Sequence, residues 1–512
     1  MDCSNPLLAT DVYKLGHMTQ YPDNTKFVFS YMEARRPDIP VVFFGLQYYL
    51  QRHLSKLTFP LPSEVDEICE LHQELLNPSA ATQLEFRNKL TSLLQLGYWP
   101  LAIVAPKEGT ITKSQNCLLG ITNTVAGYGW LVGYFETLLL KLWNSCTVAT
   151  HSAAYRALVE NYLQLTSTDQ NAQWLVHDFG ARGVSSEETA AISGAAHLLS
   201  FTGTDNVQAA ALLKECYKAK AGDYGSIAAS EHSVMCSYGP HGEETALAKL
   251  LETDGPVSIV ADTYDYFNWL ESVLPKFKTQ ILNREHKTVI RPDSGIPKEI
   301  ILQTLPILAE LFGCTVNAKG YKELHPKIGL IYGDGMHYDT FKEVLEAMRD
   351  AGWATSNLVI GVGGLLLQNH SRDDFGFSLK ASAITFQDKQ IGDYHTQSLM
   401  KNPKTDTTKV SKAGVMQYKE SFAQPYTTAC TVYRENDTVN NTHAQMVLLW
   451  QENTTMVNYF DLKTYNPLLS NESWSNIKSR FNDYYNLPEV KESLLKLRKK
   501  QYVPSKEDRK CV

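Results

Sequence analysis

No two of the nine cysteines form a C-x-x-C pair; they are scattered singly from Cys3 to Cys511, which offers neither a disulfide framework nor a zinc site. That usage fits a reducing cytosol. Long apolar runs are missing too. The most apolar stretch, Trp130 to Trp143, is interrupted by Glu136 and Lys141 and is too short for a bilayer core of about 30 Å, so it reads as a buried helix. The first residues, Met1 to Pro6, have no basic flank leading into an apolar stretch, which argues against a secretory signal. The Asn-x-Ser/Thr tripeptides at Asn440, Asn453 and Asn471 then read as chance matches. Positive charge is in deficit, 48 Lys and Arg against 55 Asp and Glu for a net charge of -7. No broad basic field is left for nucleic acid or an anionic membrane, although a local patch at an anionic substrate stays compatible. There is no fixed-period repeat or low-complexity tract, so solenoids and disordered tails are poor readings. The phosphate-loop pattern GxxxxGK[ST] is absent, and Gly361-Val-Gly-Gly-Leu365 lacks the third glycine of a dinucleotide fingerprint. P-loop enzymes and dehydrogenases are disfavoured accordingly.

What the chain does have is apolar material: 43% hydrophobic and 20% charged residues over 512 positions suffice for a large core and two domains. From about residue 174 to 370, short apolar runs alternate with polar loops and helical patterns. The runs are Trp174-Leu-Val176, His197 to Phe201, Val257 to Ala261, Thr288-Val-Ile290, Ile328 to Ile331 and Leu358-Val-Ile360. Helices are expected over Pro297–Phe312 and Tyr338–Ala351, and Ser185-x-x-Glu188 offers a capping box for another. Alternation of this kind predicts a parallel sheet. Nearly every run ends in Gly, Asp, Arg or His, which favours a barrel whose strand C-termini share one polar mouth. We therefore expect an α/β barrel over residues 151–380. A flanking α+β domain is expected from both chain ends, 1–150 and 381–465, followed by a charged helical tail over 466–512 with Leu494, Leu495 and Leu497 as apolar anchors.

Several strand-end loops carry groups with chemical potential. Gly363-Gly364 after an apolar strand would let backbone N–H groups approach a phosphate, or form a plain turn. Asp334 in Gly333-Asp-Gly335 could accept from ribose hydroxyls or cap that turn. Arg291 and Asp293 place a fork-shaped cation two residues from a carboxylate, suited to binding a planar polar group and sugar hydroxyls or to pairing internally. His232 could act as acid, base or nucleophile, with Asp262 holding its tautomer, or be structural. Phe179 and Tyr13 offer flat faces for a heterocycle, or core packing.

Taken together, Leu7 to Lys14, His177 to Ser186, Gly203-Thr-Asp205, Ala229 to His232, Ile290 to Gly295, Gly333 to Gly335 and Gly363-Gly-Leu365 resemble the nicotinamide phosphoribosyltransferase family. They occur in the family's order over roughly residues 6 to 460. The resemblance implies an irregular α/β barrel of type II phosphoribosyltransferase kind with a flanking α+β domain, in a cytoplasmic homodimer with active sites at the interface. The implied reaction joins nicotinamide to 5-phosphoribosyl-1-pyrophosphate, giving nicotinamide mononucleotide and pyrophosphate in NAD salvage. Phe179 and the partner subunit's Tyr13 would sandwich the ring, with Asp205 and Arg291 near the carboxamide. Asp293, Gly333, Asp334, Gly363 and Gly364 would serve ribose and phosphate, and Arg35, Arg182, Arg372, Lys380 and Lys401 the anionic groups. His232 matches a histidine phosphorylated when ATP stimulates the reaction, and Asp262 its carboxylate partner. Mg2+ is expected with the pyrophosphate, its protein ligands unassigned. Asp205 would accept from an amide and repel nicotinate.

Two departures from the family stand out: Ala181 replaces an expected tyrosine, which would widen the rim of the ring pocket, and Leu365 replaces an expected third glycine. The alternatives are nicotinate phosphoribosyltransferase, sharing architecture and donor, and a catalytically silent binding protein on the same scaffold. His232, Asp262, Arg291 and Asp293, all present, argue against the silent reading. A metal-dependent lyase would want a cluster of carboxylates or histidines that the sequence does not offer.

Overall fold

Five short segments between residues 176 and 362 are almost wholly buried along their length, the pattern of strands covered on both faces. In the computed structural model they form a parallel sheet with Ala228–Ala229 at one edge. The structure describes residues 5–54, 59–333, 335–387, 392, 394–405, 410–416, 432–433, 447–451 and 472–497. The strand order is Val176–Asp178, Leu358–Val362, Ile328–Tyr332, Thr288–Arg291, Val257–Val260, Ala228–Ala229, all pairs parallel. Its two edges are joined through residues 202–205. Asp178 N–H donates to Gly203 O at 3.2 Å, Asp205 N–H to Asp178 O at 2.9 Å, and Thr204 N–H to Gly225 O at 2.9 Å. Isolated parallel bridges at Asp178–Thr204 and Gly203–Gly225 complete the ring. This is a barrel closed irregularly, by single bridges where a seventh full strand would otherwise stand.

Two sequence expectations shift here. His197–Phe201 is no strand: His197 ends the helix Glu187–His197, and the ring segment is the polar stretch just after it. The helix cap is Ser186, whose hydroxyl accepts the Thr189 N–H at 3.1 Å, one residue later than the expected Ser185. The helices Pro297–Phe312 and Tyr338–Asp350 lie between their strands as the periodicity predicts.

By its internal contacts the chain divides into two units, residues 148–370 and residues 1–147 with 371–512. The second is organised on an antiparallel sheet ordered Tyr394–Ser398, Phe377–Gln387, Thr25–Ala34, Leu119–Asn123, Leu101–Ala105, Val447–Gln451. A boundary at residue 380 would cut the strand Phe377–Gln387, which pairs along its length with Thr25–Ala34, so Arg372 and Lys380 fall in this unit. The apolar run from Trp130 is buried but broken into Trp130–Tyr134, Glu136–Leu140 and the start of Leu142–Thr166. Among the described residues, no helix is long and apolar enough to cross a membrane.

The tail departs most from expectation. Its helices Trp474–Tyr485 and Pro488–Leu495 bury Trp474, Ile477, Phe481, Tyr485, Val490 and Leu494 completely. Arg480 pairs with Glu472, and the Glu472 N–H donates to Gln47 Oε1 at 2.9 Å. Gly109 lies so close to the Ile477 carbonyl that it has no room for a Cβ. These two helices are part of the core of their unit. Trp474→Ala and Leu494→Ala should therefore each cost about 2–5 kcal/mol, whereas Leu495→Ala, at a side chain 39% exposed, should stay within about 0.5 kcal/mol. Chemical denaturation of the three variants checks this.

Candidate active site

The strand ends of the barrel carry a connected set of polar groups. Arg291 closes the strand Thr288–Arg291 and meets Asp293 in a two-pronged pair, Nε to Oδ1 at 2.9 Å and Nη2 to Oδ2 at 2.7 Å. Both are largely buried, where such a planar pair is worth most. The Asp293 N–H donates to Asp262 Oδ2 at 2.9 Å, and the Ser294 hydroxyl reaches the same oxygen at 2.6 Å. Asp262 Oδ1 lies 3.1 Å from His232 Nε2. Burial alone would push the Asp262 carboxyl up, but Ser294, the Asp293 N–H and His232 together outweigh it and hold it below its ordinary value. His232 itself is half exposed at the start of the helix His232–Ser237. The Tyr332 hydroxyl pins this loop by donating to Gly295 O at 2.9 Å.

Phe179 sits beside this cluster. Its N–H donates to Val362 O at 2.9 Å, and the Arg291 guanidinium lies 5.5 Å from its ring centroid. Two glycines make room. A Cβ on Gly361 would run into the Phe179 ring, and one on Gly333 would stand 2.7 Å from Asp293 Oδ1. Neither has a positive φ; close approach, not backbone freedom, selects glycine at both.

Phe179, Asp205 and Arg291 line one cavity of about 310 Å³, together with His177, Ser226, apolar side chains of the strands and, where the strands begin, Asp169 and Lys287. The Ser226 hydroxyl donates to Asp205 Oδ1, and among the described residues Oδ2 has no protein partner. Burial holds the His177 imidazole below its ordinary pKa, with Asp205 opposing. The sequence context does not single out the roles of Ser226 and Ser294. A hydroxyl that completes a carboxylate's bonds leaves no pattern in the chain.

The remaining residues are spread more widely. Arg182 is exposed in the turn Ala181–Gly183. Gly183 and Gly364 approach so closely that a Cβ on Gly364 would stand 2.6 Å from Gly183 O. Gly363 and Gly364 open a helix of only four residues, so little helix dipole is available there. Leu365 has ordinary negative φ, so the replaced glycine is not needed for backbone conformation. Ala181 lies outside the cavity lining. Asp334 lies outside the described residues.

The other unit holds Tyr13, Arg35, Arg372, Lys380 and Lys401. Tyr13 is 57% exposed on the short helix Val12–Leu15. The buried Lys14 beside it donates to Gly133 O at 2.9 Å and pairs with Glu136 at 2.8 Å. Lys380 approaches the same Glu136 at 3.5 Å. Arg35 donates through Nε to Gly376 O at 3.3 Å, Arg372 pairs with Asp373 at 3.1 Å, and the Lys401 side chain is exposed.

Against known proteins, a model described as the nicotinate phosphoribosyltransferase (NAPRTase) family matches residues 174–445, and one for the nicotinamide phosphoribosyltransferase N-terminal domain matches residues 5–77. A nicotinamide phosphoribosyltransferase of Xanthomonas campestris pv. campestris (strain 8004) is 37% identical over 419 residues, covering 80% of this chain and 86% of its own. One from Acinetobacter baylyi is 35% identical over 453 residues, covering 81% and 88%. A crystal structure of nicotinate-nucleotide pyrophosphorylase from Pyrococcus furiosus matches with a TM-score of 0.54 at 14% identity, over 97% of this chain and 98% of that one; this similarity speaks to the fold. Barrel, strand-end cluster and identity over most of the chain agree: the chain belongs to the nicotinamide phosphoribosyltransferase family.

Proposed function

We propose that this enzyme joins nicotinamide to 5-phosphoribosyl-1-pyrophosphate, forming nicotinamide mononucleotide and pyrophosphate in NAD biosynthesis. One observation carries the reading: an aromatic face, a carboxylate and a guanidinium, from Phe179, Asp205 and Arg291, line a single cavity of about 310 Å³ that runs along the barrel strands. A pyridine ring stacks on the first. Its carboxamide N–H donates to the second, and its carbonyl accepts from the third. As the pyrophosphate leaves, C1 of the ribose gains oxocarbenium character, the ring nitrogen supplies its lone pair to that carbon, and the base acquires a positive charge. Fixed stacking holds the weak nucleophile in line, and cationic side chains stabilise the departing anion.

Asp205 sets the choice of base. Two unit charges about 4 Å apart cost about 4 kcal/mol at an effective dielectric of about 20, so a nicotinate carboxylate facing Asp205 is rejected while an amide is held. His232 with Asp262 supports a further step stimulated by ATP. With Nε2–H donated to Asp262, Nδ1 carries the lone pair that would take the γ-phosphoryl group, releasing ADP. Among the described residues no three His, Cys, Asp or Glu side chains converge as a metal cage. That donor set fits an Mg2+ that arrives on the pyrophosphate and keeps phosphate and water as most of its ligands. The ion would neutralise charge on the leaving group. An interface site is supported by Tyr13, an exposed ring on backbone fixed by the Lys14 anchor.

Three outcomes are expected. Supplied with both bases, phosphoribosyl pyrophosphate and Mg2+, the enzyme should convert nicotinamide at least tenfold more efficiently by kcat/KM than nicotinate; no product from nicotinamide, with or without ATP, would refute the assignment. Asp205→Asn should shrink that preference by raising nicotinate turnover. His232→Ala should keep basal synthesis measured without ATP and lose its stimulation, read from parallel product assays.

A further inference from the structure

A buried carboxylate lies between the two chain segments that carry the base-binding groups. Asp178 ends the strand Val176–Asp178, immediately before Phe179, and is fully buried. Its Oδ1 accepts the Gly180 N–H at 2.7 Å. Its Oδ2 accepts from the Asn206 amide at 3.0 Å and faces the Thr204 hydroxyl at 3.4 Å. One side chain thus grips the residue after Phe179 and both neighbours of Asp205.

The surroundings leave it no slack. Asn206 also donates to Ala190 O at 2.8 Å, and its Oδ1 accepts the Ala209 N–H at 3.1 Å, capping the helix Val207–Tyr217. On the facing helix Glu187–His197, a Cβ on Gly194 would stand 2.8 Å from Asp178 Oδ2. All three groups aimed at Asp178 are donors, so a side chain with acceptors only is required there. Burial, the largest influence, raises its pKa to about 6, with Asp205 adding to the rise and the Gly180, Asn206 and Thr204 donors opposing.

We infer that Asp178 is a positioning residue for the base: without touching the ligand, it fixes the spacing between the Phe179 ring and the Asp205 carboxylate, and so sets the affinity for nicotinamide. The inference rests on the reading of Phe179 and Asp205 given above. A purely structural Asp178 would change stability and kcat, leaving the two Michaelis constants alone or moving them together.

The test is steady-state kinetics on Asp178→Asn, Thr204→Val and the exchange Asp178→Asn with Asn206→Asp, alongside wild type, with thermal denaturation of each. Asp178→Asn turns an amide NH2 toward the Asn206 donor. It should raise the KM for nicotinamide at least tenfold and that for phosphoribosyl pyrophosphate less than twofold. The exchange restores an acceptor opposite the new amide but takes the Asn206 donor from Ala190 O, so it should recover part of that loss and not all of it. Thr204→Val, which removes only the weakest donor, should raise the nicotinamide KM about threefold and keeps the test alive if Asp178→Asn does not fold. A folded Asp178→Asn or Thr204→Val with unchanged nicotinamide KM, or with both constants moving equally, overturns the inference. Wild type inactive on nicotinamide would instead sink the functional reading itself.

Discussion

Everything in the barrel unit depends on how the ring of parallel strands closes. Six strands do not complete it. The gap is spanned by residues 202–205, tied by backbone bonds to Asp178 on one side and to Gly225 on the other. Because parallel strands all point their C-termini the same way, closure brings Phe179, Asp205, Asp262 and Arg291 to one mouth although they are far apart in sequence. The joint that closes the ring is also the joint that carries Asp205.

Around that mouth the charges are arranged in a chain of satisfied bonds. Arg291 is neutralised by Asp293, whose backbone N–H serves Asp262, whose other oxygen meets His232. Each buried charge has a partner, which is the condition for keeping ions in a low-dielectric site. The arrangement separates duties. The largely buried Arg291 and Asp293 fix geometry beside Phe179, while His232 at the end of the chain stays half exposed to solvent.

Much of this was legible in the chain. The strands Val257–Val260, Thr288–Arg291, Ile328–Tyr332 and Leu358–Val362 announce themselves as short apolar runs ending in polar loops, and the loop residues carry the resemblance. What misled had physical causes. His197–Phe201 is apolar because it ends a helix buried on most of its surface, and a short buried run does not declare its period. The tail reads as charged surface helix because its lysines and glutamates outnumber the anchors, yet Trp474, Ile477, Phe481 and Tyr485 line one face. Gly361 looks like a phosphate-loop glycine, and only the third dimension shows that its missing side chain is the space Phe179 fills.

The central claim is spatial: a flat heterocycle rests on Phe179 with its carboxamide at Asp205. A crystal structure with nicotinamide mononucleotide bound tests it directly. The account predicts the pyridine ring parallel to Phe179, its amide nitrogen within hydrogen-bond distance of an Asp205 oxygen, and the partner subunit's Tyr13 on the opposite ring face. A ring bound away from Phe179, or an Asp205 carboxylate turned from the carboxamide, would contradict it.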